Sequence, residues 1–235
     1  MSLPLKNIIA NYASQLYAAG IGILILPLYI KYMGAEAYGL VGFFTMLQSC
    51  FVLLDLGLTP TIARETARYH GGSLTALHYR QLFRALSVIF ISVSLLGGGV
   101  LWMLAEPISY RWLNVETLSM PAVVISVKIM AISVALRWLG GLYRGVVTGS
   151  ERIIWLSSFN AIVATLRFPA VLLTMWYHGF TPLVFFWHQF CVAVFELTVL
   201  YAMSIKLNPA LESSERIGWG RSEERRVGKE CRSRW

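Results

Sequence analysis

Charge is what this chain has least of: 14% of its 235 residues are Asp, Glu, Lys or Arg, where a soluble domain carries about a quarter. Histidine, with four, and cysteine, with three, are also scarce. Cys50, Cys191 and Cys231 form no CxxC pair and no metal-ligand spacing. Two of them sit inside apolar runs, where a cysteine is a small apolar filler. These spacings exclude a disulfide framework and a zinc site. His70 and His78 lie beside Gly71 and Gly72 without an acidic or cysteine partner and read as solvated loop histidines. No metal and no cofactor is expected. No short apolar core followed by a small-residue cleavage site opens the chain, so no cleavable signal peptide is expected.

Hydrophobicity takes the place of charge, at 57% of residues. Six apolar segments run from Ile8 to Tyr32, Tyr38 to Pro60, Ala85 to Ala105, Pro121 to Tyr143, Leu156 to Trp176 and Leu183 to Ile205. At about 1.5 Å per residue each is long enough to cross a bilayer. Open sheets cannot exist in lipid, because their edge N–H and C=O groups would go unpaired, so each segment must be a helix. An all-α membrane protein is expected, with six transmembrane helices over residues 1–210. Many of its 8 Trp and 11 Tyr fall near span ends, where amphipathic rings sit at headgroup level.

The connections set the orientation. Lys6, Arg64, Arg68, Arg80, Arg84, Arg144, Arg152 and Lys206 fall on one side, against Lys31 and Arg111 on the other. Both termini are therefore expected in the cytoplasm. The same distribution accounts for the net charge of +8 without a nucleic-acid partner, since no basic helix stands free of the spans. In the longest cytoplasmic connection, Ile62 to Arg84, the run Arg64-Glu65-x-x-Arg68 reads as an interfacial extension of the second span. Gly141, Gly145 and Gly149 repeat every four residues, which permits close helix approach. Pro27 and Pro169 are expected to kink the first and fifth spans. Residues 211–220 read as a cytoplasmic linker. Residues 221–235, RSEERRVGKECRSRW, read as a non-native read-through tail, which implies a longer natural protein.

The fifth span, Leu156 to Trp176, holds Arg167 near its centre, two residues before Pro169. An arginine at that depth costs at least ~2.5 kcal/mol on insertion scales, so it faces protein or a watery cavity. Arg167 is about 16 Å in from its end of the span, and Glu196 of the sixth span about 14 Å in from the same side. The two are expected either to form a buried ion pair or to line a cavity, with Glu196 tuning the cation or exchanging a coupling ion; both can hold. Lys128 and Arg137 share the fourth span, nine residues apart and so on opposite faces. At least one of them snorkels to an interface, and Arg137 has the shorter reach. Asp55, in LLDLGLTP, is a coupling candidate or a helix-end contact to Arg64 or Arg68. Three embedded cations against two anions lean toward an anionic substrate. Arg167, Lys128 and Arg137 are the candidate substrate-binding residues, and Glu196 and Asp55 the coupling or ion-pair residues. These assignments rest on depth and charge.

Leu5-Lys6-Asn7 precedes the first span, Pro27-Leu28-Tyr29 closes it, and Met33-Gly34-Ala35-Glu36-Ala37-Tyr38-Gly39-Leu40 makes the outer turn. Leu54-Asp55-Leu56-Gly57-Leu58 ends the second span. This pattern resembles the N-terminal region of the polysaccharide transporter family, the O-antigen-type lipid-linked oligosaccharide flippases of the multidrug/oligosaccharidyl-lipid/polysaccharide exporter superfamily. The resemblance implies two six-helix lobes facing each other across an alternating-access cavity, of which residues 1–210 are one. It implies export of undecaprenyl-diphosphate-linked sugar units for O-antigen or capsule across the bacterial inner membrane, without enzymatic chemistry. The implied partners are the lipid-linked oligosaccharide, membrane lipids, the missing C-terminal lobe and a polysaccharide polymerase complex.

Three other readings stand beside it. A cation-coupled multidrug exporter of the same superfamily would need intramembrane carboxylates, and the embedded cations oppose it. A sugar polymerase or glycosyltransferase would need paired carboxylates in a sizeable loop; Glu106 to Met120 supplies only Glu106, Arg111 and Glu116. A structural scaffold would tolerate loss of Arg167.

Overall fold

In a computed structural model of the chain, residues 3–208 are described apart from 114 and 117. The linker and tail assigned to residues 211–235 lie outside the described residues. The helices run α1 (Leu3–Met33), α2 (Ala35–Leu53), α3 (Leu58–His70), α4 (Ala76–Met103), α5 (Ala105–Arg111), α6 (Met120–Gly149), α7 (Ile153–Arg167), α8 (Pro169–His178) and α9 (Pro182–Leu207). No strand occurs among the described residues. Among the described residues six spans are long and apolar enough to cross a membrane, α7 and α8 together forming the fifth. The chain is a multi-pass, all-α membrane protein.

α6 is the axis of the bundle. It is the most enclosed of the spans: 61% of its most hydrophobic window is buried, against 17% for α1. It packs most extensively on α9, then on α4 and α3. Outer helices keep apolar side chains such as Leu16, Leu24, Leu95 and Trp176 exposed, as lipid-facing surfaces require.

The turns explain the N-terminal motif. Gly34 adopts φ +85° between α1 and α2, and Gly57 adopts φ +85° before α3, conformations a side chain would oppose. Asp55 accepts from Thr59 N at 3.1 and 3.3 Å and from Thr59 Oγ1 at 2.8 Å, tying this turn to the start of α3. The second span therefore ends at Leu53 rather than Pro60, and the Arg64–Arg68 run belongs to a separate helix, not an extension of the span.

Two further boundaries differ from the sequence reading. The third span begins at Ala76, nine residues early, with Thr75 capping it through His78 N at 3.4 Å. The fourth continues to Gly149, past Tyr143, which brings Arg144 inside the helix. The last turns of α6 stay ordered because α3 lies against them: side chains at Gly145 and Gly149 would collide with Ile62, Ala63 and Thr66. The glycine stripe is thus a packing seam. α1 remains helical through Pro27, whereas the fifth span breaks at Phe168.

Candidate functional site

Arg167, the last residue of α7, donates from Nη2 to Glu196 Oε2 at 2.8 Å. The other carboxylate oxygen accepts from Arg144 Nη2 at 2.6 Å, and Arg144 Nη1 donates to Asn160 Oδ1 at 2.6 Å. About 10 Å further along α6 and α9, Arg137 donates to Gln48 Oε1 and Gln189 Oε1, both at 2.8 Å. Gln189 Nε2 then donates to the Arg167 backbone carbonyl at 2.8 Å. Phe44 lies beneath the Arg137 guanidinium, 5.2 Å from ring centroid to Cζ. Arg144 of α6 and Arg167 of α7 thus share the one carboxylate of Glu196, and Arg137, two turns further along α6, extends the cluster.

The repeat behind this network is a two-turn spacing. Arg137 and Arg144 on α6, Asn160 and Arg167 on α7, and Gln189 and Glu196 on α9 are each seven residues apart. Seven steps of 100° return to within about 20° of the starting face. Each helix therefore presents two polar groups in one direction at two depths.

Two cavities open onto these groups. The larger, about 230 Å³, is lined by Ser14, Gln15, Arg144, Asn160, Arg167 and Glu196, among others. The smaller, about 120 Å³, is lined by Tyr29, Phe44, Gln48, Arg137, Arg167 and Gln189, among others. Glu196 is held by two arginines, and Arg137 hydrogen-bonds to the neutral side chains of Gln48 and Gln189. The cluster therefore carries a surplus of about two positive charges. Arg137 Nε and Arg167 Nε are buried without a hydrogen-bond partner among the described residues. A surplus of cation in low dielectric is costly unless an anion arrives; the arrangement is suited to receiving one.

The remaining candidates lie elsewhere. Lys128 lines neither cavity; its Nζ is 3.3 Å from Glu106 Oε1 and 5.7 Å from the Trp102 ring centroid, at the other end of the fourth span. Of the two, it is Lys128 that reaches outward, to Glu106, while Arg137, despite its shorter reach, stays among the helices because Gln48 and Gln189 meet it there. Asp55 makes no ion pair with Arg64 or Arg68, both of which turn to Glu65 at 3.6 and 3.0 Å. His70 Nε2 meets Ser150 Oγ at 3.1 Å and His78 Nδ1 meets Thr75 Oγ1 at 2.8 Å.

Sequence reading missed Arg144, Gln48, Gln189 and Asn160. Arg144 was counted as a loop charge because the fourth span was ended one residue before it. The paired seven-residue spacings were the signal that could have found it, along with Gln189 and Asn160; Gln48 carried none.

No curated protein and no solved structure matches the chain. The model of one family, described as polysaccharide biosynthesis protein, matches residues 4–213, a stretch that reaches from the first turn of α1 through α9. With that match across nearly the whole chain, and a six-span bundle built around buried cations, this chain belongs to the polysaccharide biosynthesis protein family.

Proposed function

We propose that the protein, together with a second six-helix lobe, moves undecaprenyl-diphosphate-linked oligosaccharides from the cytoplasmic to the periplasmic leaflet of the bacterial inner membrane. O-antigen or capsule assembly would consume the product, with a polysaccharide polymerase complex as the downstream partner. Both termini face the cytoplasm in this reading, following the loop charges.

The observation that carries the proposal is the cationic surplus at Arg137, Arg144 and Arg167, held at membrane depth on two adjoining cavities. A diphosphate leaving water must exchange its hydration for fixed positive donors, and guanidinium forks match phosphate oxygens two at a time. The lipid tail can stay in the bilayer while the headgroup passes along the arginines. The same surplus disfavours export of a lipophilic cation, since Glu196, the carboxylate such a substrate would need, is already bound by two arginines.

The test is export in cells carrying the full-length protein. Arg167→Ala should abolish surface polysaccharide while membrane insertion and protein level stay normal. Wild-type polymer yield with that change would remove Arg167 from the mechanism, and export of a lipophilic cation by the unmodified protein would replace the substrate class.

A further inference from the structure

The two cavities share only two lining residues, Arg167 and Phe168. On α1 the larger cavity ends at Ala18 and the smaller is reached at Tyr29, a separation of about 16 Å along the helix. Between them lies Gly22, and the Phe168 ring rests against it: a Cβ built there would sit 3.4 Å from Phe168 Cζ. The ring thus reaches α1 at the depth where neither cavity extends, over Gly22, which has no side chain to push it away.

The backbone at Phe168 is held in an unusual way. Pro169 has no N–H to offer the preceding turn, and α7 stops at Arg167. Three consecutive carbonyls at the break are met by side chains. His188 Nε2 is 2.9 Å from Leu166 O, Gln189 Nε2 donates to Arg167 O at 2.8 Å, and Tyr29 OH donates to Phe168 O at 2.9 Å. Thr174 Oγ1 contacts the second ring nitrogen of His188 at 2.9 Å, and a carbonyl opposite Nε2 requires the proton there. Side chains of α1 and α9 therefore clamp the break of the fifth span by its main chain.

We infer that Phe168 is the partition of the transport path, a ring that closes one half of the lobe's cavity from the other, and that Tyr29, His188 and Gln189 are the positioning residues that hold it closed. Arg167, adjoining the ring and lining both sides, is the cation that remains in reach of the substrate as it crosses. This inference rests on the proposed function for its meaning, but not for its test. Side-chain bonds to a helix break can exchange for water or for the intrahelical bonds of a straighter span, so the same three contacts define what must let go for the ring to move.

Thiol accessibility tests it without any substrate. In the full-length protein with its native cysteines, Cys50 and Cys191 among them, replaced by alanine, Thr45→Cys places a thiol in the smaller cavity and Gln15→Cys one in the larger. A membrane-impermeant maleimide is applied from the face carrying the N-terminus. If the ring keeps the path closed about nine-tenths of the time, Phe168→Ala should speed Thr45→Cys labelling roughly tenfold and leave Gln15→Cys unchanged. Tyr29→Phe keeps the ring that packs edge-on against Phe185 and removes only the hydroxyl on Phe168 O, so it should accelerate labelling in the same direction. Equal Thr45→Cys labelling with and without the Phe168 ring overturns the partition. Should Phe168→Ala fail to insert, an unchanged rate in Tyr29→Phe overturns it instead. Faster labelling in a protein that exports a lipophilic cation in place of polymer would leave the partition standing and the flippase reading lost.

Discussion

Arg167 and Arg144 hold opposite oxygens of the Glu196 carboxylate, at 2.8 and 2.6 Å. Removing the carboxylate alone leaves two guanidiniums facing each other in low dielectric. Glu196→Ala should therefore destabilise the protein by about 3–5 kcal/mol, read as a lowered Tm in detergent. Arg144, whose side chain is 33% exposed, should contribute less, about 1 kcal/mol after solvent screening. The double variant Arg144→Ala/Glu196→Ala should recover part of the loss, and strict additivity of the two single changes would show that the contact carries no coupling.

Arg137 and Lys128 should separate sharply in function. Losing a charge-assisted contact to phosphate costs about 1.5–3 kcal/mol, so Arg137→Ala should reduce polymer export by roughly ten- to a hundredfold at normal protein level. Lys128 sits on Glu106, whose side chain is 65% exposed, and an ion pair of that kind is worth about 0–1 kcal/mol; Lys128→Ala should leave export within a few-fold of wild type. Export rates in the reverse order would move the path to the other end of the fourth span.

Asp55 serves the turn before α3, and its carbonyl-like acceptor oxygen is the feature that matters. Asp55→Ala should cost about 1 kcal/mol, as loss of a helix-start acceptor does, while Asp55→Asn keeps the acceptor and should retain both stability and export. An Asp55→Asn protein that folds normally but no longer exports would instead mark the charge as part of energy coupling.

The seam between α3 and α6 should tolerate no added carbon. A methyl group at Gly149 would strike the Ala63 carbonyl, whereas one at Gly140 would meet Leu200 Cδ1 at 3.8 Å, an ordinary contact. Gly149→Ala should lower stability by about 1–3 kcal/mol through overpacking. Gly140→Ala should be neutral or stabilising by up to about 1 kcal/mol, since alanine is the better helix former. Thermal unfolding of the two variants side by side gives the comparison.

The span count was legible because bilayer thickness imposes a length that apolar runs either meet or do not. Helix ends were less so. Residues 76–84 carry Arg80 and Arg84, and residues 144–149 begin with a third arginine; hydropathy reads both stretches as loop, while capping by Thr75 and packing on α3 keep them helical. The Arg167–Glu196 contact could be anticipated from matching depths on neighbouring spans. Its third member could not, because Arg144 had been assigned to solvent by that same helix-end error. Lys128 and Arg137 were rightly put on opposite faces, yet which face met the cavity depended on Gln48 and Gln189, neutral groups on other helices that no charge count registers.

By itself the sequence determined that this chain lives in lipid, crosses it six times as helices, and must find shelter for a mid-span arginine beside a proline; hydrophobic length and the cost of an unpaired backbone or charge leave no other outcome. Only the tertiary structure decided which polar groups provide that shelter. α6 and α9 bring their seven-residue pairs to the same two depths, α1 offers Gly22 to a ring and Tyr29 to a broken backbone, and such meetings between distant helices depend on rotation and packing that local pattern does not encode.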